Sequence, residues 1–262
     1  MSRHVRTLVS LSAYACEGGL DERYQPATCF SPVIALGRRR GPGAAAGLWS
    51  EYEGVLDLAG ELGLAGISLE VSWARLEPRR GRRDDAALSR YAEVIAHARR
   101  RGLFVNVAAI DAAWPAWLGQ EAWLMPWVAP VAVDYVNWLT RGLSADSWSV
   151  FAARESMTRG FLDDEAGPPW RRGAREDHES AAANLEVIAH ASAASSGVDF
   201  TTSVDVDLDQ LTSATGAGAA QVHVRSLVRG SGPLSSPRGL LTRREGEWAL
   251  AGPEVPAALL RD

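Results

Sequence analysis

Short apolar runs alternate with longer amphipathic stretches along the chain, the pattern of strands alternating with helices. Leu8-Val9-Ser10-Leu11 reads as a first strand. Tyr52, Val55, Leu56, Ala59 and Leu62 then recur at three- and four-residue spacing, which predicts a helix with Ser50 and Glu53 as a capping box and Gly63 as its stop. A second strand is expected over Ile67–Trp73. Asp84 can cap the next helix, whose stripe is Leu88, Tyr91, Ile95 and Ala98, closed by Gly102. Phe104–Ile110 reads as the third strand, and Pro130 suits the first position of a helix presenting Val133, Val136, Leu139 and Leu143. Ser147–Ala153 is the fourth strand, followed by a helix over Glu176–Ser195. Val198–Val204 and Gln221–Leu227 are further strands, and a terminal helix is expected near Val255–Leu260.

Each strand is followed by a crossover long enough to be helical, which requires parallel pairing and an α/β fold. About six strands are recognisable, and with no internal repeat or low-complexity linker the chain reads as a single domain over residues 1–262.

The composition narrows the function classes. A net charge of −5 over 262 residues argues against a dedicated nucleic-acid binder, and the arginine runs Arg38–Arg40 and Arg99–Arg101 read as solvated or helix-terminal clusters. No apolar run is long enough to cross a bilayer. The first residues bear a faint likeness to a signal peptide, but the apolar run is short and broken by serines, so a cytoplasmic location is expected. Cys16 and Cys29 are too few for a disulfide framework. The five histidines share no ligand spacing and no glycine-rich phosphate loop comes after a strand, so neither metal nor cofactor is expected.

Several segments, in order, resemble the family 1 glycoside hydrolases. Ser12-Ala13-Tyr14-Ala15-Cys16-Glu17-Gly18-Gly19 is similar to that family's opening strand and turn. Ser68-Leu69-Glu70-Val71-Ser72-Trp73-Ala74-Arg75-Leu76-Glu77-Pro78 is similar to its second strand, and Ala113-Trp114-Pro115-Ala116-Trp117-Leu118 to the segment after its third. Trp148-Ser149-Val150-Phe151 with Arg154-Glu155-Ser156 resembles its W-x-T-F-N-E-P. Gly160-Phe161-Leu162 with Gly167-Pro168-Pro169 is similar to the G-Y and P-P-G stretch on its C-terminal side. Pro237-Arg238-Gly239-Leu240-Leu241 resembles a segment near the family's end. The resemblance implies a TIM-type (β/α) barrel, here shortened or incomplete, with much of the family's second half missing. It also implies hydrolysis of β-glycosides by paired carboxyl groups, and it maps the acid/base onto Glu155.

The departures from the family fall on chemistry. Ala15 stands for its sugar-binding glutamine, Ser68 for an arginine, Asp111 for a histidine, Arg154 for the asparagine before the acid/base, and Arg225 for a tryptophan. The nucleophile motif has no intact counterpart; the nearest segment, Phe200–Val204, lacks a glutamate.

Apart from the family, strand alternation places Ser68, Glu70 and Ser72 on one face and Ile67, Leu69 and Val71 on the other. Likewise Gln221, His223 and Arg225 would point inward, as would Thr201, Ser203 and Asp205. A polar barrel interior must satisfy its groups internally or hold a ligand. One reading is therefore a structural ion pair between Glu70 and Arg225. The other is a pocket lined by Glu70, Asp111, Glu155, His223 and Arg225, with Arg154, Trp123 and Trp127 at its mouth to bind a sugar-like small molecule.

Two functions are compatible with these residues. In the first, Glu155 performs general acid/base catalysis on a glycoside or other cyclic small molecule, with Asp111 or Asp205 as a base that activates water and no glutamate nucleophile. In the second, the barrel is a pseudo-glycosidase kept for binding or assembly. An incomplete barrel exposes two strand edges, which invite pairing with a second copy.

Overall fold

The computed structural model describes residues 8–201, together with the backbones of strands at 203–206, 221–224, 241–244 and 247–250. Strands β1 (Leu8–Leu11), β2 (Gly66–Glu70), β3 (Phe104–Ile110) and β4 (Ser147–Phe151) form one parallel sheet in chain order. Helices α1 (Ser31–Ala35) and α2 (Leu48–Glu61) lie between β1 and β2, and α3 (Trp73–Leu76) and α4 (Asp85–Arg100) between β2 and β3. Helix α5 (Val128–Gly142) connects β3 to β4, and α6 (Arg154–Thr158) and α7 (Arg175–Ser196) come after β4. The fold class expected from the alternation is therefore the one observed.

The sheet does not stop at β4. Phe200 bridges Trp148 in parallel, and the Thr201 N–H donates to the Trp148 carbonyl at 2.7 Å. Just beyond, β5 (Ser203–Val206) pairs in parallel with β6 (Gln221–Val224), setting Asp205 opposite His223. Among the described residues β1 pairs with β2 alone, so the sheet is open there. Strands β7 (Leu241–Arg244) and β8 (Glu247–Leu250) form an antiparallel hairpin that the apolar pattern does not announce. The expected helix near Val255–Leu260 lies outside the described residues.

Two faces of the sheet do different work. Ile67, Leu69, Val105 and Val107 are fully buried in the main apolar core, to which α2, α4 and α5 contribute Leu56, Ile95 and Val136. The opposite face is a hydrogen-bonded polar rung. Asn106 Nδ2 donates to the Ser68 hydroxyl at 3.0 Å, the Ser147 hydroxyl donates to Asn106 Oδ1 at 2.8 Å, and the Ser149 and Thr201 hydroxyls meet at 3.1 Å. Strand register sets Ser68 opposite Asn106 and Asn106 opposite Ser147, so the pleat itself generates the rung.

Several element boundaries differ from the sequence expectation. Ser50 is not a helix cap: α2 starts earlier, from Gly47 at φ +71, and the Ser50 hydroxyl donates back to the Gly47 carbonyl. Strand β2 ends at Glu70 because Ser72 caps α3, its hydroxyl accepting from the Arg75 N–H at 3.2 Å, which puts Trp73 in a helix. Pro130 is the third residue of α5 rather than the first. Strand β4 ends at Phe151, and β5 begins five residues later than expected.

Asp84 caps α4 as expected, its carboxylate accepting from the Ala87 N–H at 2.9 Å. Asp84→Ala should lower stability by about 1 kcal/mol in urea denaturation, the usual size of a lost N-cap; an unchanged midpoint would show that solvent replaces the cap fully.

Candidate functional site

Parallel strands send their C-terminal ends to one side of the sheet, and barrel folds carry their chemistry on that rim. Four segments reach it here: a π-helical turn at Ala13–Glu17 after β1, the turn into α3 after β2, Asp111 and its loop after β3, and α6 after β4. Gly18 closes the first of these at φ +79, and a side chain there would meet the Ala44 carbonyl oxygen at 2.3 Å, so only glycine fits.

Three carboxyl groups collect on the rim. Glu70, the last residue of β2, accepts from the Ser10 hydroxyl at 3.1 Å. Glu17 is buried and held by two elements: Arg75 Nε donates to it at 3.1 Å, and the Tyr91 hydroxyl donates to its other oxygen while accepting from the Ser72 N–H at 2.8 Å. Arg75 Nη2 also donates to the Gly18 carbonyl at 2.7 Å, and its guanidinium lies 4.1 Å from the Trp49 ring centroid. Asp111 stands one residue past β3, is 1% exposed, and has no hydrogen-bond partner on either carboxyl oxygen.

Burial dominates the electrostatics of this cluster. It pushes the Glu17 carboxyl up to about 7, against the lowering pull of Arg75 and Tyr91. Asp111 is held well above the usual carboxylate range by burial first and by the charges of Glu70 and Glu17 next; the backbone N–H groups of Ala113 and Asp111 oppose this without completing a hydrogen bond. Cys16 is pushed up to about 12 by burial, Glu70 and Glu17. A carboxyl with its proton is a hydrogen-bond donor and acid, not a base.

These shifts fix the sign of the pH dependence. Glu17 and Asp111 hold protons more tightly folded than unfolded, so their contribution favours the fold at low pH and is lost as pH rises, for Glu17 from its ordinary 4.5 to about 7. Asp111→Asn is therefore expected to flatten the fall of the urea midpoint as pH rises above the ordinary carboxylate range. Parallel slopes for the two proteins would show that Asp111 stays ionised.

The other residues singled out from the sequence are scattered over the molecule. Glu155 lies in the first turn of α6 and is exposed. Arg154 turns away from the rim to form an ion pair with Glu186 of α7. Trp123 is buried edge-to-face against Trp114, at 5.2 Å between centroids, and Trp127 is half-buried beneath the Arg80 guanidinium at 4.6 Å. His223 occupies β6, and Arg225, the suggested partner of Glu70, lies outside the described residues. Two surface clefts of about 590 and 990 Å³ meet at Trp49 and Arg75, and neither is lined by Asp111 or Glu155. Among the described residues no cluster of three or more His, Cys, Asp or Glu side chains is arranged to hold a metal ion, and no helix is long and apolar enough to cross a membrane.

Sequence reasoning does not single out Glu17, although it lies in the first family-like segment beside Gly18 and Gly19. Its signal is a carboxylate in an otherwise small and apolar turn.

Fold and rim together define a parallel α/β chain with carboxyl groups at its strand ends. Solved structures agree. A rice β-glucosidase superposes with a TM-score of 0.67 at 15% identity, covering 76% of this chain and 48% of that one. A family 1 β-glucosidase from the fungus Humicola insolens, solved with glucose, gives 0.67 at 14% identity over 77% and 48%. The family 1 β-glucosidase of Thermotoga maritima gives 0.66 at 16% identity over 76% and 47%. The chain thus has a parallel-strand α/β fold resembling the barrel of the family 1 β-glucosidases, with the sheet not closed among the described residues, and it spans about half the length of these structures. Among curated proteins it is 30% identical over 112 residues to the chloroplastic β-glucosidase-like protein SFR2 of rice (Oryza sativa subsp. japonica), 39% of this chain and 17% of that relative. No family model matches the chain.

Proposed function

We propose that this chain is a glycosidase-derived protein that binds a glycoside or another cyclic small molecule at the strand ends of β1–β4. It acts on that ligand by general acid/base catalysis through Glu155, without the family's glutamate nucleophile. The observation that carries the reading is the placement of two unlike carboxyl groups, each just past the C-terminal end of one of two neighbouring strands. Glu155 is exposed after β4, while Asp111 is sealed after β3 with both oxygens unpartnered. Carboxyl groups just past strand ends are where barrel folds carry their acid/base chemistry. Asp111 differs from the role expected on sequence grounds: holding its proton, it is a hydrogen-bond donor rather than a base, and Glu155 is the group that protonates the leaving oxygen and exchanges its proton with water. The test is turnover of a panel of aryl and alkyl glycosides by the wild type and by Glu155→Gln, with binding followed in parallel. Turnover that survives intact in the variant sinks the reading.

A second reading, binding without chemistry, is favoured by one observation. The polar rung of Ser68, Asn106, Ser147, Ser149 and Thr201 is satisfied within the protein, so that part of the lumen needs no ligand. Binding of the panel with no turnover by the wild type would select it.

A further inference from the structure

The two surface clefts that meet at Trp49 and Arg75 lie outside the chemistry assigned to Glu155 and Asp111, since neither of those residues lines them. The clefts differ in charge. The smaller, of about 590 Å³, carries Glu17, Glu22 and Glu51 against Arg75. The larger, of about 990 Å³, carries Arg75, Arg79 and Arg90 against Asp84 alone among the described residues, in a chain whose net charge is −5. An anion reaching this surface is therefore drawn to the larger cleft, whose size suits a small molecule.

Two aromatic rings line that cleft. Trp49 is half-buried and fixed, with the Arg75 guanidinium 4.1 Å from its ring centroid and Tyr91 edge-on at 5.2 Å. Tyr24 is 89% exposed and has a φ of +66°, a left-handed conformation that a tyrosine rarely takes. The loop around it imposes this conformation. The Asp21 carboxylate accepts from the Tyr14 hydroxyl at 2.9 Å, from the Thr28 N–H and hydroxyl, both at 2.6 Å, and from the Ser31 hydroxyl. The Asp21 N–H closes the loop on the Pro26 carbonyl at 3.0 Å. A pinned loop thus displays a strained aromatic ring to solvent, as loops that carry binding residues do.

Arg79 supplies the charge. It opens a tight hairpin in which the Arg82 N–H donates to its carbonyl at 2.8 Å. Glu77 anchors the hairpin, accepting from the Gly81 N–H at 2.6 Å and from the Trp73 indole at 3.0 Å. The Arg79 side chain is exposed and forms no ion pair among the described residues. Arg75 and Arg90, by contrast, are engaged by Glu17 and Glu93.

We propose that the larger cleft binds a phosphate monoester of a ring compound, the ring contacting Tyr24 and Trp49 and the phosphate meeting Arg79. An aromatic face accepts a sugar ring or an arene alike. A phosphate monoester brings roughly two negative charges and several acceptor oxygens, which guanidinium donors match. The inference stands apart from catalysis at Glu155, because occupancy of this cleft requires no turnover.

The experiment is calorimetric titration of the full chain with phenyl phosphate, glucose 6-phosphate, inorganic phosphate and the neutral phenyl β-glucoside. Wild type is compared with Tyr24→Gly, Arg79→Gln, Glu155→Gln and Arg82→Gln, each checked by thermal melting; Arg82 is an exposed arginine of the same hairpin that does not line the cleft. At least one ring phosphate is expected to bind more tightly than inorganic phosphate and the neutral glucoside. Its affinity should fall roughly 5- to 20-fold in Tyr24→Gly and in Arg79→Gln and stay unchanged in Arg82→Gln and Glu155→Gln. Preference for phenyl phosphate identifies an aromatic ring as the ligand, and preference for glucose 6-phosphate a sugar. Glycine suits the left-handed position, so Tyr24→Gly should fold and carries the test even if Arg79→Gln does not. Absence of binding by both ring phosphates overturns the proposal, as does inorganic phosphate binding equally well. Binding that neither Tyr24→Gly nor Arg79→Gln weakens also overturns it, and binding lost in Glu155→Gln would place the ligand at the rim instead.

Discussion

Replacing Arg75 with leucine is expected to destabilise the fold by about 3–5 kcal/mol, the cost of stranding a buried charge whose partner has gone. Arg75 is 7% exposed and serves three neighbours at once: the Glu17 carboxylate, the Gly18 carbonyl and the Trp49 ring. Leucine keeps part of the volume but leaves Glu17 with Tyr91 as its sole donor among the described residues and leaves the Gly18 carbonyl without this donor. Glu17, already raised to about 7, must then take a proton to remain inside, so the loss should grow with pH. Adding Glu17→Gln should recover part of it, because the amide carries no charge to strand. Urea denaturation at several pH values reads all three proteins. A loss under about 1 kcal/mol would mean that water reaches the pair and that it behaves as a surface salt bridge.

The second large effect is on rate. Glu155→Gln should lower kcat/KM for alkyl glycosides roughly 10²- to 10⁴-fold, the contribution of a positioned acid/base. Activated aryl glycosides leave without much protonation, so their loss should be smaller, and the gap between the two substrate classes reports the acid role directly. Because Glu155 is exposed on a short helix held to α7 through Arg154 and Glu186, the substitution should leave the melting temperature nearly unchanged. An equal loss on both substrate classes, or a fall in stability, would move Glu155 from chemistry to structure.

Legibility in the sequence extends as far as the helix and strand periods encode structure. Strand β3 and helix α4 are readable because Phe104–Ile110 is a largely apolar run and because Asp84 and Gly102 bracket a clear stripe. Helix α7 matches its expected span to within one residue at each end. The polar face of the sheet is also readable, since Ser68 and Glu70 alternate with Ile67 and Leu69. Boundaries set by side-chain capping escape the pattern: Ser72 ends the second strand segment by capping α3, a choice that leaves no periodic trace. The candidate site is legible only as residue types. That Asp111 is sealed without a partner while Glu155 stays outside depends on loops that fold over the rim, and no local pattern records their path.

The order of the strands carries a consequence for how the chain is built. In the sheet β1-β2-β3-β4, spatial neighbours are also successive in synthesis, and the chain entering β5 joins the edge that β4 has just created. Each unit emerging from the ribosome therefore finds its template finished, and no strand has to wait for a later one before it can be inserted. Translation and assembly can proceed in step, from the amino terminus outward. A pause or a destabilising change early in the chain, at β1 or β2, should then be felt by every unit added after it.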